Sequence, residues 1–207
     1  MRHALVPLVL ATVLALAGCS GDSGEAGESG DGGSADSSDT GSGTEVSALG
    51  LAFDVPEGWE TLDPEDADIP EEEAAELAEG LNLTPEQFDQ TVRGVDLFVV
   101  DGDGPEDGFL SNINVLGQSG SLPPDDQLEQ QFSGIGAEVV DISREETDAG
   151  EVVAVQYSLG VQDNTVEGVS YLLAQGDEVV TVTVSTPDRD QSDEIGEGIL
   201  ASLTEAS

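Results

Sequence analysis

The chain has 207 residues and carries 45 Asp and Glu against 4 Lys and Arg, a formal net charge of −41 at pH 7 in which every basic side chain is an arginine. A surface so anionic repels phosphate backbones and anionic headgroups, which excludes nucleic acid as a partner and a polybasic patch as a means of membrane docking. The single histidine, His3, and the single cysteine, Cys19, both stand near the start; the rest of the chain has no imidazole, thiol or amine side chain with which to build Ser-His-Asp or Cys-His nucleophiles, histidine or cysteine zinc sites, or a Schiff-base lysine.

In chain order, Arg2 precedes an apolar run from Ala4 to Leu16, about 13 residues long and so a secretory signal rather than a membrane span. The run closes on Leu16-Ala17-Gly18-Cys19, which resembles the lipobox of bacterial lipoproteins. That resemblance implies removal of residues 1–18, a diacylglyceryl group on the Cys19 thiol, and a protein held on the outer face of the cell membrane by its acyl chains. The alternative is an ordinary secretory signal in which Cys19 is incidental. Residues 19–46 are almost entirely Gly, Ser, Asp, Glu and Thr and are expected to form a disordered acidic tether. Residues 47–207 are expected to form one folded domain, large enough to be stable without disulfides.

Leu51, Phe53 and Val55 alternate with Ala52 and Asp54 as in a half-buried strand, which Pro56 stops and Glu57-Gly58 turns. Trp59 is expected in the core, packed over the sheet edge. Pro70 followed by Glu71, Glu72 and Glu73 opens a helix, and Thr84-Pro85-Glu86-Gln87 opens another with Thr84 as N-cap, Gln87 at the capping-box position, and Phe88 and Val92 on one face. Asp63, Glu65, Asp66 and Asp68 with Glu71 to Glu73 are the densest acidic cluster. A Ca²⁺ site is conceivable there, but solvated acids and a helix N-terminus account for the same run without a metal.

Val95 to Val100 reads as a strand, and Asp101 to Gly108 as a connecting loop whose Asp-Gly pairs lack the later ligands of an EF-hand. Phe109 to Leu116 reads as a strand with Ile113 and Val115 on one face and Asn112 and Asn114 on the other, the two amides pointing either into a pocket or onto a solvated sheet face. Pro123-Pro124-Asp125-Asp126 opens a helix through Leu128, Phe132 and Ile135. Strands at 138–145, 152–161, 166–175 and 179–185 then form an antiparallel meander, with Gly176-Asp177 suited to a two-residue II′ turn. Val153, Val155, Tyr157, Leu159 and Val161, and later Val180, Val182 and Val184, mark one apolar face, and a last helix bearing Ile195, Ile199, Leu200 and Leu203 is expected to cover it. No nucleotide-binding glycine motif is present.

An opening strand ending in Phe53-Asp54-Val55-Pro56-Glu57-Gly58-Trp59, a helical insertion, a strand with Asn112 and Asn114, the Val/Thr-rich meander and a closing helix through Ile199-Leu200-Ala201-Ser202-Leu203 together resemble the PsbP-like fold as used in actinobacterial lipoproteins of the LpqN/LpqT type. The resemblance implies an α+β domain in which an antiparallel sheet is packed between helices, and an accessory or binding role at the envelope without an agreed catalytic site. Trp59 is carried over as a signature position and not as a ligand. The residues present imply no catalytic site, no cofactor and no metal, and a membrane-anchored protein that binds an envelope protein or an apolar, lipid-like molecule. A Ca²⁺-dependent binding module and a glycan hydrolase using a carboxylate pair are the rival readings.

Overall fold

The computed structural model describes residues 43–62, 69–147, 149–162 and 164–206. The lipobox positions Leu16, Ala17, Gly18 and Cys19 and the acids Asp63, Glu65, Asp66 and Asp68 lie outside the described residues.

Ten strands and four helices are present among these residues. The chain begins with β1 (Gly43–Ala48), β2 (Leu51–Pro56) and β3 (Trp59–Leu62), and continues through α1 (Glu71–Gly80), α2 (Pro85–Val92), β4 (Leu97–Asp101), β5 (Asn112–Ser119) and α3 (Asp125–Gly134). The meander β6 (Ala137–Thr147), β7 (Gly150–Val161), β8 (Asn164–Gln175) and β9 (Glu178–Thr186) follows, and α4 (Arg189–Ser202) and β10 (Thr204–Glu205) end it. Seven strands make one sheet in the order β3-β4-β5-β9-β8-β7-β6 with every neighbouring pair antiparallel, while β1, β2 and β10 make a small second sheet.

The helix starts follow from local chemistry. Thr84 Oγ1 accepts from the Gln87 amide at 3.3 Å while Gln87 Oε1 accepts from the Thr84 amide at 2.9 Å, the reciprocal capping box that the sequence predicts. Asp188 caps α4 in the simpler way, its carboxylate accepting from the Gln191 amide at 3.1 Å. The turn from β8 to β9 is Gly176-Asp177, with Gly176 at φ 62°, a conformation open to glycine at little cost.

The large sheet is buried on both faces. On one side α4 and the small sheet close over Val99, Ile113, Val115, Val169, Tyr171, Leu173, Val180, Val182 and Val184. On the other side α1 and α2 cover Phe98 and Val100 at one end, and α3 covers Val153, Val155, Tyr157, Leu159 and Leu172 at the other. The sequence reading put the β7 and β9 valines on one face, and the register corrects this: Val155 pairs with Ser170 and Ser170 with Thr183, so the apolar side of β7 is continuous with the threonine side of β9. Three further differences have local causes. Residues 43–46, expected in the tether, belong to β1, which is held by backbone pairing to β2 and offers few apolar side chains of its own. Trp59 is half-buried in the edge strand β3 and packs against the main core from there. The strand expected from Phe109 starts at Asn112 instead, because Phe109 is engaged with Glu106 in a tight bridge.

Two arginines fasten helices to the sheet. Arg144 on β6 donates to Asp125 Oδ1 at 2.8 Å and to the Pro123 carbonyl at 3.0 Å, and pairs with Glu151 at 3.3 Å, which ties the start of α3 to the β6–β7 hairpin. Arg189, the first residue of α4, donates to the Tyr157 carbonyl at 3.1 Å, to Ser158 Oγ at 2.9 Å and to Glu167. A guanidinium at a helix N-terminus opposes the helix dipole, and the partly buried Glu167 carboxylate offsets that cost.

Close approach of α4 to the sheet depends on a missing side chain. A Cβ at Gly196 would stand 2.6 Å from the Tyr171 hydroxyl and 2.8 Å from Val169, whereas one at Gly198, two residues along the same helix, would meet nothing within 4 Å. Gly196→Ala is therefore expected to lower unfolding free energy in urea by about 1–3 kcal/mol through overpacking. Gly198→Ala is expected to raise it by up to about 1 kcal/mol through helix propensity; equal effects of the two would contradict this packing.

Candidate functional site

Directly paired residues on neighbouring antiparallel strands point to the same face, so the register can be read across the sheet as rows. One row runs Phe98, Asn114, Thr183, Ser170, Val155; the next runs Val100, Asn112, Ser185, Gly168, Tyr157. Both are apolar at their ends and polar in the middle. The ends belong to the sealed clusters under α1 and α2 and under α3. The middle, on β5, β9 and β8, is a strip of amides and hydroxyls lying between the two helical blocks.

The strip is buried, as are its flanks: Asn112, Asn114, Thr183 and Ser185 keep 4–7% of their surface, and Ser170, Phe98, Val155 and Tyr157 keep none. It is a buried polar floor between the two helical blocks. At the end nearer Asn112, three amides join the α1–α2 connection, the 102–110 loop and the β7–β8 turn. Asn82 Nδ2 and Asn164 Nδ2 donate to the Gly108 carbonyl at 2.9 and 3.1 Å, and Gln162 Nε2 donates to the Asn82 carbonyl at 2.8 Å.

Within the floor, Asn112 Nδ2 donates to the Leu110 carbonyl at 3.1 Å, and the Ser170 and Thr183 hydroxyls share a hydrogen bond at 3.0 Å. Tyr157 lies across Gly168, where a Cβ would stand 2.4 Å from its ring and 2.6 Å from its hydroxyl. Its hydroxyl faces Ser185 and Ser170 without a well-formed hydrogen bond to either, and burial raises its pKa well above the ordinary tyrosine value. An unpartnered hydroxyl in the interior costs about 1–3 kcal/mol, and this one is fully buried.

Of the residues singled out in the sequence, Asn112 and Asn114 come together here, on a nearly buried floor rather than on a freely solvated face. Trp59 is on the opposite side of the sheet, with the main core. Glu71, Glu72 and Glu73 are exposed in the first turn of α1, where the helix dipole favours acids, and no group of three or more potential metal ligands converges among the described residues. Thr183, Ser185, Ser170 and Tyr157 were not singled out. Their signal was the strand register, which places Val155 and Tyr157 level with the polar side of β9. No carboxylate stands among the six polar side chains of the floor.

No family model matches the chain, and no curated protein matches it. Among solved structures it is similar to cyanobacterial PsbP (CyanoP) from Synechocystis sp. PCC 6803, with a TM-score of 0.51 over 84% of this chain and 98% of that one, at 16% identity. The fold is PsbP-like. The expected α+β class, an antiparallel sheet between helices, holds, with the small β1-β2-β10 sheet sharing one of the covering layers. The chain is also similar to LpqN, involved in cell envelope biogenesis of Mycobacterium tuberculosis, at 12% identity and a TM-score of 0.47, over 76% of this chain and 83% of that one. In this PsbP-like domain the buried polar strip is built from the middle strands of the sheet.

Tyr157 and Tyr171 are the two tyrosines of the chain, and both are held neutral by burial, Tyr171 with added repulsion from Asp193, Glu197 and Glu145. The folded state keeps these protons more tightly than the unfolded chain, so their contribution is fully present below a pH of about 10 and is lost as pH rises beyond it. Ultraviolet titration is expected to show tyrosinate appearing above the ordinary range and together with loss of the far-ultraviolet dichroism of the sheet. A tyrosine titrating near pH 10 with the fold intact would contradict the burial.

Proposed function

We propose that this chain is a lipid-anchored accessory protein of the cell envelope that acts by binding, not by catalysis. The observation that carries the non-catalytic reading is the chemistry of the polar residues inside the fold: a buried strip of amides and hydroxyls, framed by apolar blocks. Neutral amides and hydroxyls position a ligand but supply neither a general base near neutral pH nor an activated nucleophile. A carboxylate-pair hydrolase needs two acids facing one another across the substrate, and this floor offers none.

Anchoring rests on Leu16-Ala17-Gly18-Cys19 and the apolar run before it. With the thiol acylated, two or three chains would hold the protein on the bilayer, each buried CH₂ contributing about 0.8 kcal/mol.

Of the two kinds of ligand that the sequence suggests, the packing favours a protein or other polar partner over a lipid. The apolar space between sheet and helices is occupied by the chain's own Leu128, Phe132, Leu172, Phe98 and Leu81, all fully or almost fully buried.

Mass spectrometry of the membrane-extracted protein is expected to give a mature N-terminus at Cys19 carrying acyl chains. Cys19→Ser is expected to shift the protein into the soluble fraction. Crosslinking on membranes should recover a bound partner in the wild type. An unmodified, freely secreted wild-type polypeptide would overturn the anchoring, and a purified domain that co-extracts stoichiometric lipid would overturn the choice of polar partner.

A further inference from the structure

Resting on the partner-binding reading above, we propose that the open edge of β6, from Asp141 to Thr147, takes an added β-strand: an extended, cationic segment of a protein partner with lysine or arginine at alternate positions.

The strand β6 ends the seven-stranded sheet. It pairs with β7 along one side, and among the described residues no backbone group pairs with its other side. A strand so placed presents a row of unmatched N–H and C=O groups, the template on which extended segments add. At 11 residues β6 is far longer than the four-residue β3 at the opposite edge. Its register with β7 slips once, between Val139 and Asp141, and then runs without a break from Asp141 to Thr147. Val140, at the slip, keeps 57% of its surface, the most of any large apolar side chain among the described residues, and so leaves apolar surface beside the free stretch for a neighbour to cover.

Both faces of the edge are defined. On one, α3 rests on the hairpin against Val139 and Ile142. On the other, α4 packs over β8 and β9 and meets β7 where Gln156 Nε2 donates to Asp193 at 2.9 Å. Glu138, Asp141 and Glu145 pair with Ser158, Gln156 and Val152, which puts them on the α4 face, and all three remain exposed.

Charge names the occupant. Beyond burial, Asp193, Glu197 and Glu145 together keep Tyr171 protonated, so helix and strand turn like charge onto one strip of sheet. A second copy brought to this edge sets acid against acid on chains that each carry −41, which refuses self-pairing. A segment with cations at alternate positions places them opposite Asp141 and Glu145, because directly paired residues share a face. Its intervening residues then fall on the α3 face, where the half-buried Ile142 favours an apolar neighbour and Arg144 is already held by Asp125 and Glu151.

The test is a nuclear magnetic resonance titration of the full chain, in micelles of an uncharged detergent at about 0.15 M salt, with the probe peptide acetyl-Lys-Val-Lys-Val-Lys-Val-Lys-amide. The expected result is saturable movement of the backbone amide signals of residues 141–147, with new protection of those amides from hydrogen exchange. The same peptide methylated at every peptide nitrogen, equal in charge but unable to donate, is expected to bind at least about tenfold more weakly, and Asp141→Lys with Glu145→Lys to weaken the parent peptide by about tenfold. Glu71→Lys with Glu73→Lys, the same change of charge on exposed acids of α1, is expected to leave affinity within about twofold. A flat titration overturns the proposal, as does protection that falls outside β6. Equal binding of the methylated peptide, or equal weakening by the two double variants, overturns it too, by reducing the contact to general attraction of charge. Membrane crosslinking separates this edge from the reading it rests on: a captured partner whose crosslinks avoid β6 overturns the edge alone, whereas peptide pairing at β6 in a protein that captures no partner upholds the edge and overturns the partner.

Discussion

Everything that covers the sheet answers to one constraint: β9 lies in the middle of seven strands with both of its faces out of water. Its valines Val180, Val182 and Val184 face the layer made by α4 and the small sheet, and this side is dry and apolar across β5, β9 and β8. Burying such side chains is worth about 1.5–3 kcal/mol each, so that layer is where most of the fold's stability resides. Thr181, Thr183 and Ser185 face the other way, toward two helical blocks that stand on the outer strands. Because those blocks rest on apolar ends and leave a polar centre, the same strand supplies the driest part of the core and the buried polar strip between the helical blocks.

Charge imposes a second limit. With acids outnumbering bases more than tenfold, each guanidinium is a scarce means of joining one element to another. Arg144 and Arg189 are used for that purpose, at the first turns of α3 and α4, and both engage backbone carbonyls as well as carboxylates. Arg93 makes only an exposed pair with Asp89 one turn away, a contact worth a few tenths of a kcal/mol. The two long-range clusters have the greater structural role because they link helix ends to strands distant in sequence, and the Arg189–Glu167 pair is also partly shielded from solvent, where attraction is less screened.

Much of the fold was legible because its signals are local. The capping box at Thr84 and Gln87, the prolines just before α1 and α3 and at the first position of α2, and the period-two valines of β7 and β9 each dictate an element within a few residues, and each element is where its signal stands. What was not legible depends on pairing. No local pattern says that Val155 lies level with Thr183, since that follows from β8 standing between them; hence two apolar faces were read as one. β1 and β10 were missed because backbone hydrogen bonds to β2 hold them while their own side chains carry little apolar signal. Asn112 and Asn114 were recognisable as a pair from their spacing. Their polar neighbours on β9 and β8, and the buried Tyr157 hydroxyl, come together only when the sheet is assembled.

The strand order has a consequence for how the molecule comes into being. β5 and β9 are hydrogen-bonded along their whole length, with Asn112 opposite Ser185 and Ser119 opposite Glu178, although α3, β6, β7 and β8 intervene in the chain. Such distant pairing makes the loop-closure entropy large and the folding reaction slow relative to a helical domain of equal size. A nascent chain that stops short of Glu178 has a β3-β4-β5 ribbon and a β6-β7-β8 ribbon with no seam to join them. The buried polar strip and the dry core therefore both depend on β9 standing between the two ribbons, and a chain cut before Glu178 lacks both together.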